Sequence, residues 1–299
     1  MESVTASKLH GELFIGIETQ GGVVKDYSLL RSNGVAEKVY TDKNGSKPYT
    51  WMASVIAVSL DRLGGISIGG AVRKEYVASG SLDIPHIVKQ LTLADANTLL
   101  IEIHRRLWKN LIRNQDTLCK WCGNTMVMDI DLDRIALLPE DVHKLNTDWL
   151  TIPIALTNGW VFEAPTIVGS SQKKYEEYDK IEFNQFIFRC PTVEDGIRNE
   201  KYEADPIEFW RRIAFDCLIS VNSVDAYGSI GTELPREAIN IFGRKIFDEI
   251  LDSSALIKIR ETLREDPPSL PFYYLEECAN ANCRRETPVT MEANGFFSA

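Results

Sequence analysis

Two pairs of cysteines are the residues whose types and spacing point most directly to chemistry. Cys119 and Cys122 have two residues between them and are followed by Gly123, as in a zinc knuckle. Such a turn brings two thiolates to one ion, and the glycine lets the backbone fold back toward the sulfur atoms. Cys278 and Cys283, with four residues between them, provide a second pair. Together they predict a closed four-cysteine site for structural Zn²⁺, without the open position that catalysis needs.

Other interpretations of the cysteines stay open at this point. A C-x2-C pair can be a thioredoxin-type redox site, but that motif begins a helix after a strand, whereas this pair follows a predicted helix. Incidental free thiols are a second alternative, because the C-x4-C spacing is the weaker signal. His104 is an alternative ligand, although a polar helix position beside Glu102 fits it better. Cys190 and Cys217 stand outside the pairs and are predicted to be buried thiols.

Two further stretches of the sequence invite comparison with calcium-binding or phosphate-binding loops. Asp129, Asp131, Asp133 and Glu140 occupy positions 1, 3, 5 and 12 of a calcium loop. Position six is Arg134, where that loop requires glycine, so a strand with one solvated face is favoured. The glycine-rich stretch 64–70 lacks a Walker or dinucleotide fingerprint and is predicted to be a connector.

No arrangement typical of catalysis is evident in the sequence. The four histidines are scattered, and none lies beside a serine or cysteine in a nucleophile motif. No pair of carboxylates stands out for acid–base chemistry either. The sequence therefore predicts a protein that is not an enzyme.

The elements that must position the cysteine pairs follow from hydrophobic spacing. Two short strands are predicted within residues 13–30, around the turn Gln20-Gly21-Gly22. One helix is predicted over 51–63, and another runs from the capping signal at Thr92 through Leu111 directly to Cys119. Strands are predicted within 151–188, with a turn at 157–159. Helices return after Pro206, and the first carries Leu218 and Val221 on its apolar face.

The two halves of the chain show the same order of elements. Leu30–Glu37 matches Phe188–Asp195, and the same offset places Trp51 on Phe209 and Leu60 on Leu218. The inferred unit of strands, helices and a cysteine pair occurs twice. We therefore predict an α+β fold of two related halves, 1–148 and 149–299, whose cysteine pairs meet in one zinc-ribbon-like module. A single irregular α+β domain is the alternative.

Composition excludes several classes of protein. The chain has 299 residues, of which 44% are apolar and 25% charged, which is typical of a globular protein. Its formal net charge of −10 argues against nucleic acid as a partner. No stretch approaches ~20 uninterrupted apolar residues, and the first residues lack a secretory signal, so we expect no membrane-spanning segment and a cytoplasmic location.

The order of the motifs resembles a family of baseplate and tail-assembly proteins of contractile phage tails and phage-tail-like injection systems. The resemblance lies in Asp95-Ala-Asn-Thr-Leu-Leu-Ile, then Cys119-x-x-Cys122-Gly, then Asp129-Ile-Asp-Leu-Asp. Gly11-Glu-Leu-Phe and the second cysteine pair before Phe296-Phe297 also fit it. The C-x4-C spacing departs from the family's C-x2-C, and the segment 150–190 has no counterpart in the resemblance.

The resemblance implies a structural or assembly role through protein–protein contacts. The expected partners are other baseplate and tail proteins, and the expected oligomeric state is that of the assembly. Phe296 and Phe297 are expected to be buried against this chain or a neighbouring subunit. The alternative function is a zinc-ribbon adaptor of transcription or nucleic-acid machinery, which the short arginine pairs and the acidity disfavour.

Overall fold

The structure is a computed structural model that describes residues 9–42, 47–108, 110–136, 144–145, 148–270 and 273–290. Glu140, His143 and the pair Phe296-Phe297 lie outside the described residues, so the expectations for them stay predictions. The described chain forms a mixed α+β fold, as predicted. It divides into two compact units. Unit 1 contains Met1–Thr147, Thr192–Ile197 and Pro268–Ala299, and unit 2 contains Asp148–Pro191 and Arg198–Pro267.

This division bears on where the second cysteine pair belongs. The segment from Pro268 groups with unit 1. Both cysteine pairs therefore lie within one compact unit. The predicted domains, 1–148 and 149–299, follow from the order of elements along the chain, and they stay a prediction.

Unit 1 is built on a four-stranded antiparallel sheet in the order β1-β2-β3-β4. The strands are β1 (His10–Thr19), β2 (Gly22–Leu29), β3 (Leu60–Leu63) and β4 (Ile66–Ser67). The predicted hairpin of the first two strands is confirmed, with Thr19 paired to Gly22 across the turn. Within the stretch 64–70, predicted to be only a connector, Gly64 and Gly65 form the turn of a tight hairpin in which Leu63 pairs with Ile66, and residues 69 and 70 begin the next helix.

The helices of unit 1 cover this sheet and form its hydrophobic core. They are α1 (Gly34–Thr41), α2 (Pro48–Ser59), α3 (Gly69–Ser79), α4 (His86–Lys89) and α5 (Leu93–Ile103). Proline suits the first position of α2 because its missing N–H has no intrahelical partner there. From Met52 onward α2 is buried at every residue except Ser54, so it carries apolar residues on nearly all sides. It packs on α5 within the core of unit 1.

A buried carboxylate attaches α5 to the first strand. Asp95, in the first turn of α5, is fully buried and accepts hydrogen bonds from the backbone N–H groups of Phe14 (2.9 Å), Ile15 (3.2 Å) and Gly16 (2.8 Å). These residues lie where the register of β1 shifts against β2. Burial raises the pKa of the Asp95 carboxyl, and the three N–H donors oppose that rise. Asp95 thus satisfies backbone donors that the irregular strand leaves unpaired.

The chain reaches the first cysteine pair by a different path from the one predicted. Helix α5 ends at Ile103 and continues as a π-helical turn to Trp108, and Leu111 begins a strand. That strand, β5 (Leu111–Leu118), pairs with β6 (Thr125–Asp131) in an antiparallel hairpin. The prediction of a helix through Leu111 was therefore wrong at its C-terminal end. The spacing of the leucines favours a helix, but the hydrogen bonds between β5 and β6 favour a strand and determine the structure here.

Unit 2 contains a second four-stranded antiparallel sheet, in the order β7-β8-β9-β10. Its strands are β7 (Thr151–Val161), β8 (Glu182–Arg189), β9 (Leu218–Val224) and β10 (Ile230–Leu234). The turn predicted at 157–159 lies inside β7, where the register shifts between Ala155 and Trp160. Leu218 and Val221 were predicted on a helix face, but they belong to β9, which starts directly after a helix.

The remaining helices are α6 (Val193–Asn199), α7 (Pro206–Cys217), α8 (Arg236–Phe242) and α9 (Ser253–Glu265), with a π-helical turn at Ile246–Ile250. Helix α6 begins within unit 1 and ends within unit 2. Cys190 and Cys217 are buried, as predicted. Within the described ranges, none of the helices combines the length and apolarity needed to cross a bilayer.

The same sequence of elements occurs twice along the chain. Each copy has two strands, two helices, two strands and further helices, and ends in a two-stranded hairpin. Helices α2 and α7 both have 12 residues and begin with proline. Leu60 and Leu218, which the sequence comparison aligns, are both the first residue of the strand that follows. The two sheets also have the same strand order. We call these two copies the first and second repeat.

Candidate metal centre

The four paired cysteines lie together at the turns of two hairpins. Cys119 follows the last residue of β5, and Cys278 follows β11 (Tyr273–Glu277). The second hairpin is closed by β12 (Glu286–Thr290), with Glu277 paired to Glu286 at its mouth. Each Sγ atom lies within 4.8 Å of the other three. The prediction that the two pairs meet is therefore confirmed.

The sulfur separations match one tetrahedral ion. Cys119 Sγ lies 3.8 Å from Cys283 Sγ, and Cys122 Sγ lies 3.6 Å from Cys278 Sγ. Four sulfurs bound at ~2.3 Å to one ion are separated by about 3.8 Å along the edges of the tetrahedron. A disulfide would need an S–S distance of about 2.05 Å. All four cysteines are free thiols, and their spacing is that of ligands to a shared cation.

The first turn is shaped by its backbone. Gly123 N donates to Cys119 O at 2.8 Å, and Cys119 N donates to Asn124 O at 2.9 Å. Gly123 has a φ of +70°, in the left-handed region that costs most residues energy. The role predicted for Gly123, to turn the chain back over the sulfur atoms, matches this conformation.

The second turn reaches a similar shape with a longer loop. Cys283 N donates to Asn280 O at 2.8 Å, and Cys278 N donates to Arg285 O at 3.0 Å. Arg284 follows the second cysteine, as Gly123 does in the first turn, and it also has a positive φ, +48°. The Nδ2 group of Asn280 lies 3.8 Å from Cys122 Sγ, on the other hairpin, and donates to it. The two turns thus share a left-handed residue although their loops differ in length.

Two hydrogen bonds fix one hairpin against the other. Lys120 N donates to Thr287 Oγ1 at 3.1 Å, and Trp121 Nε1 donates to Glu286 O at 2.9 Å. Thr287 is fully buried, and Met126 packs against the cluster of sulfur atoms. Sequence reasoning missed Thr287 because a single threonine in a strand carries no signal of its partner.

The site is partly shielded from solvent. Cys119 and Cys278 are buried, Cys283 is half-buried and Cys122 is exposed. Arg285 stacks over the indole of Trp121 at 5.2 Å from the ring centroid, and Lys120 lies 4.8 Å from it. Both cations lie beside the cysteine cluster, where the negative charge of four thiolates would be located.

The thiols influence one another's ionisation strongly. Burial raises the pKa of Cys119, but the backbone N–H groups of Trp121 and Cys122 outweigh it and lower that pKa to about 6. At Cys278 the backbone N–H of Asn280 lowers the pKa, whereas desolvation and the thiols of Cys119 and Cys122 raise it to about 12. Deprotonation of one thiol therefore disfavours deprotonation of its neighbours, and a bound cation would offset this repulsion.

The other residues weighed as ligands lie elsewhere. Among the described residues, the four cysteines form the one grouping of three or more metal-ligating side chains with this proximity. His104 is buried in the π-helical turn and is not part of that group. Asp129 and Asp131 lie in β6, as the strand interpretation predicted, and Asp131 accepts a hydrogen bond from the N–H of Asp133.

Comparison of the chain with protein-family models, curated proteins and solved structures finds no match.

Proposed function

We propose that this chain is a structural or assembly component of the baseplate of a contractile phage tail or phage-tail-like injection system. It acts by binding other baseplate and tail proteins, and it holds one structural Zn²⁺ through Cys119, Cys122, Cys278 and Cys283. The observation that carries the proposal is the convergence of these four thiols from two distant hairpins. The order of sequence motifs supplies the assignment to the baseplate.

Zinc is the cation that best suits this donor set. Four thiolates in a tetrahedron select zinc or iron among common biological metals. Hairpins with cysteines at their turns are a frequent form of structural zinc site. Four protein ligands leave no position for a bound water, so the ion stabilises the fold and does not activate a nucleophile. This is why we propose a binding protein and not an enzyme.

Elemental analysis of the full chain, purified without added metal, tests the metal assignment. We expect about one zinc per chain and no stoichiometric iron. The matched pair of variants is Cys278→Ser, which should lose the zinc, and Cys190→Ser, which should keep it because Cys190 is a buried thiol outside the cluster. Stoichiometric iron would mean that the site is a rubredoxin-like iron centre and not a zinc site. The absence of any bound metal would contradict the proposed site.

The proposed partners are tested in the native cell. The tagged full chain is crosslinked, purified and analysed by quantitative mass spectrometry beside the Cys278→Ser variant. We expect sheath, tube or baseplate proteins to be enriched with the unmodified chain and reduced with the variant. Recovery of polymerase subunits or nucleic acid without tail proteins would contradict the proposal.

One observation favours the second candidate, a zinc-ribbon adaptor of nucleic-acid machinery. Trp121 is 53% exposed at the tip of the first turn and is flanked by the cations of Lys120 and Arg285. An exposed aromatic ring beside positive charge is suited to stacking with a base. Binding of a labelled single-stranded oligonucleotide, abolished by Trp121→Ala, would support the adaptor. We expect no such binding, because the net charge of −10 repels phosphate.

A further inference from the structure

Unit 2 contains an open apolar groove between helices α7 and α9. It has a volume of about 240 Å³ and is lined on the α7 side by Ile207, Trp210 and Arg211, and on the α9 side by Leu256, Ile257 and Arg260. Ile207 is 55% exposed and Ile257 is 45% exposed, whereas Phe247, which also lines the groove, is buried. A cavity of roughly 150 Å³ is large enough for a benzene molecule. The groove therefore has room for more than one apolar side chain of a partner.

In the first repeat, a peptide segment contacts the starts of the two corresponding helices. Tyr49 and Ile207 are the second residues of α2 and α7, and Thr92 and Asp252 are the N-caps of α5 and α9. In unit 1 the segment Thr192–Ile197 bridges the starts of α2 and α5. Its Val193 N donates to Leu91 O at 2.8 Å.

The segment is held there by close packing and by burial. A Cβ added to Gly196 would lie 2.4 Å from the ring of Tyr49. Val193 is fully buried, and Ile197 packs against the same core. The covering segment of unit 1 thus presents two apolar residues four positions apart, with Glu194 and Asp195 between them. The segment indicates that a site at the starts of two such helices can accommodate a chain with two apolar residues four positions apart.

The groove of unit 2 differs from its counterpart in charge. Arg211, the sixth residue of α7, stands where α2 has the buried Ala53, and Arg260, the eighth residue of α9, stands where α5 has the buried Leu100. Over the described parts of the chain, neither arginine makes an ion pair, and the buried Nε of Arg211 has no hydrogen-bond partner. A buried donor without a partner is costly, and a carboxylate would satisfy it.

We propose that the groove between α7 and α9 binds an acidic, amphipathic segment of a partner protein. Its apolar residues, spaced as on one face of a helix, contact Ile207, Leu256 and Ile257, and its carboxylates pair with Arg211 and Arg260. Helix-in-groove recognition of this kind uses anchors at positions i and i+4. The proposed binding site lies within unit 2, and the inference goes beyond the proposed function because it requires no particular assembly.

Site-specific photocrosslinking of the full chain in its native cells tests the groove. A benzophenone amino acid replaces Ile257, and the matched control carries it at Ile219, which is 41% exposed on β9. We expect a crosslink from position 257 at least tenfold above that from 219. The crosslinked peptide, sequenced by mass spectrometry, should carry acidic residues and two apolar residues four positions apart.

Charge reversal then separates recognition from mere proximity. Arg260→Glu should reduce the crosslink yield at least fivefold, and Arg211→Glu with Arg260→Glu at least tenfold, whereas Arg264→Glu, one turn further along α9, should leave it unchanged. The melting temperature of each variant checks that it is folded. If the double variant is not folded, the crosslink yield of Arg260→Glu alone tests the inference.

Several outcomes would overturn the inference. They are a yield from position 257 no higher than from 219, a crosslinked segment that is basic or belongs to another copy of this chain, and yields unaffected by charge reversal. A crosslink to an acidic segment of a protein unrelated to tails would support the groove and contradict the baseplate proposal. The two proposals therefore fail separately.

Discussion

The two cysteine hairpins contribute equally to one site, but they are built differently. The first places two residues between its cysteines and a glycine after them, and the second places four residues and an arginine. Both nevertheless have a left-handed residue directly after the second cysteine, Gly123 in one and Arg284 in the other. The position of the thiols thus depends on how the chain leaves the turn more than on the length of the loop.

The starts of α5 and α9 show a similar contrast between the repeats. In both, an aspartate at the start of the helix holds an irregular part of the repeat's first strand. Asp95 does so while buried, through three backbone N–H groups. Asp252 is exposed, caps Ala255 N at 2.8 Å and accepts one hydrogen bond from the side chain of Asn158 at 2.8 Å. The corresponding segments are stabilised by buried contacts in the first repeat and by surface contacts in the second repeat.

The largest expected effect comes from replacing a cysteine ligand, and this effect should be the same for both hairpins. Cys122→Ser and Cys283→Ser should each lower the zinc content from about one per chain to near zero, because three thiolates cannot close the tetrahedron. Elemental analysis and thermal denaturation measure both effects. Loss of metal with only one of the two variants would mean that the hairpins do not share an ion.

The aspartates should differ sharply. Asp95→Asn should lower the free energy of unfolding by about 3 kcal/mol, because the amide NH₂ faces backbone donors that stay buried and unpaired. Asp252→Asn should change it little, because asparagine caps a helix as well as aspartate does. Chemical denaturation of the two variants measures the contrast. Equal effects would show that burial does not separate the two aspartates.

The residues four positions after each second cysteine offer a finer comparison. Thr287→Val should cost about 1–2 kcal/mol, since it keeps the shape of the side chain and leaves the N–H of Lys120 without its acceptor. Met126→Leu, at the matching position of the first hairpin, should cost less than about 1.5 kcal/mol, because Met126 packs against the cysteine cluster and leucine is a similarly sized apolar replacement. A larger loss for Met126→Leu would reverse our ranking of the two contacts.

The smallest effects should have opposite signs. Gly123→Ala should destabilise the chain by about 1 kcal/mol, because an L residue is strained at this φ. Arg284→Gly should stabilise it by about 0.5–1 kcal/mol by relieving the same strain. Both are measured on the zinc-loaded chain. A destabilising Arg284→Gly would indicate that the arginine side chain contributes more than its backbone costs.

Local patterns in the sequence predicted those features that depend on neighbouring residues. The C-x2-C-G turn, the N-cap at Thr92 and the return of a helix at Pro206 are confirmed, because each depends on a few adjacent side chains. The duplication could be inferred because matching residues, such as Trp51 with Phe209 and Leu60 with Leu218, recur at one offset and the cysteine pairs recur in the same order.

Features decided by distant pairing were missed. Leu218 and Val221 continue the helical spacing of α7, and no glycine or proline marks the end of that helix. They are nevertheless in a strand, because β9 pairs with both β8 and β10. For the same reason the hydrogen bonds from Gly16 to Asp95 and from Lys120 to Thr287 have no local signal. Periodicity reports which face is apolar and does not report which strand lies beside it.

The distance along the chain between the two cysteine pairs affects when the site can form during synthesis. Cys122 and Cys278 are 156 residues apart. At about 5–20 residues per second, the ribosome needs roughly 8–30 s to add the second pair after the first. Throughout this interval the first hairpin can offer only two thiolates to an ion. The proposed zinc would therefore be retained only late in synthesis, and a nascent chain that stops before Cys278 would have only half of the proposed site.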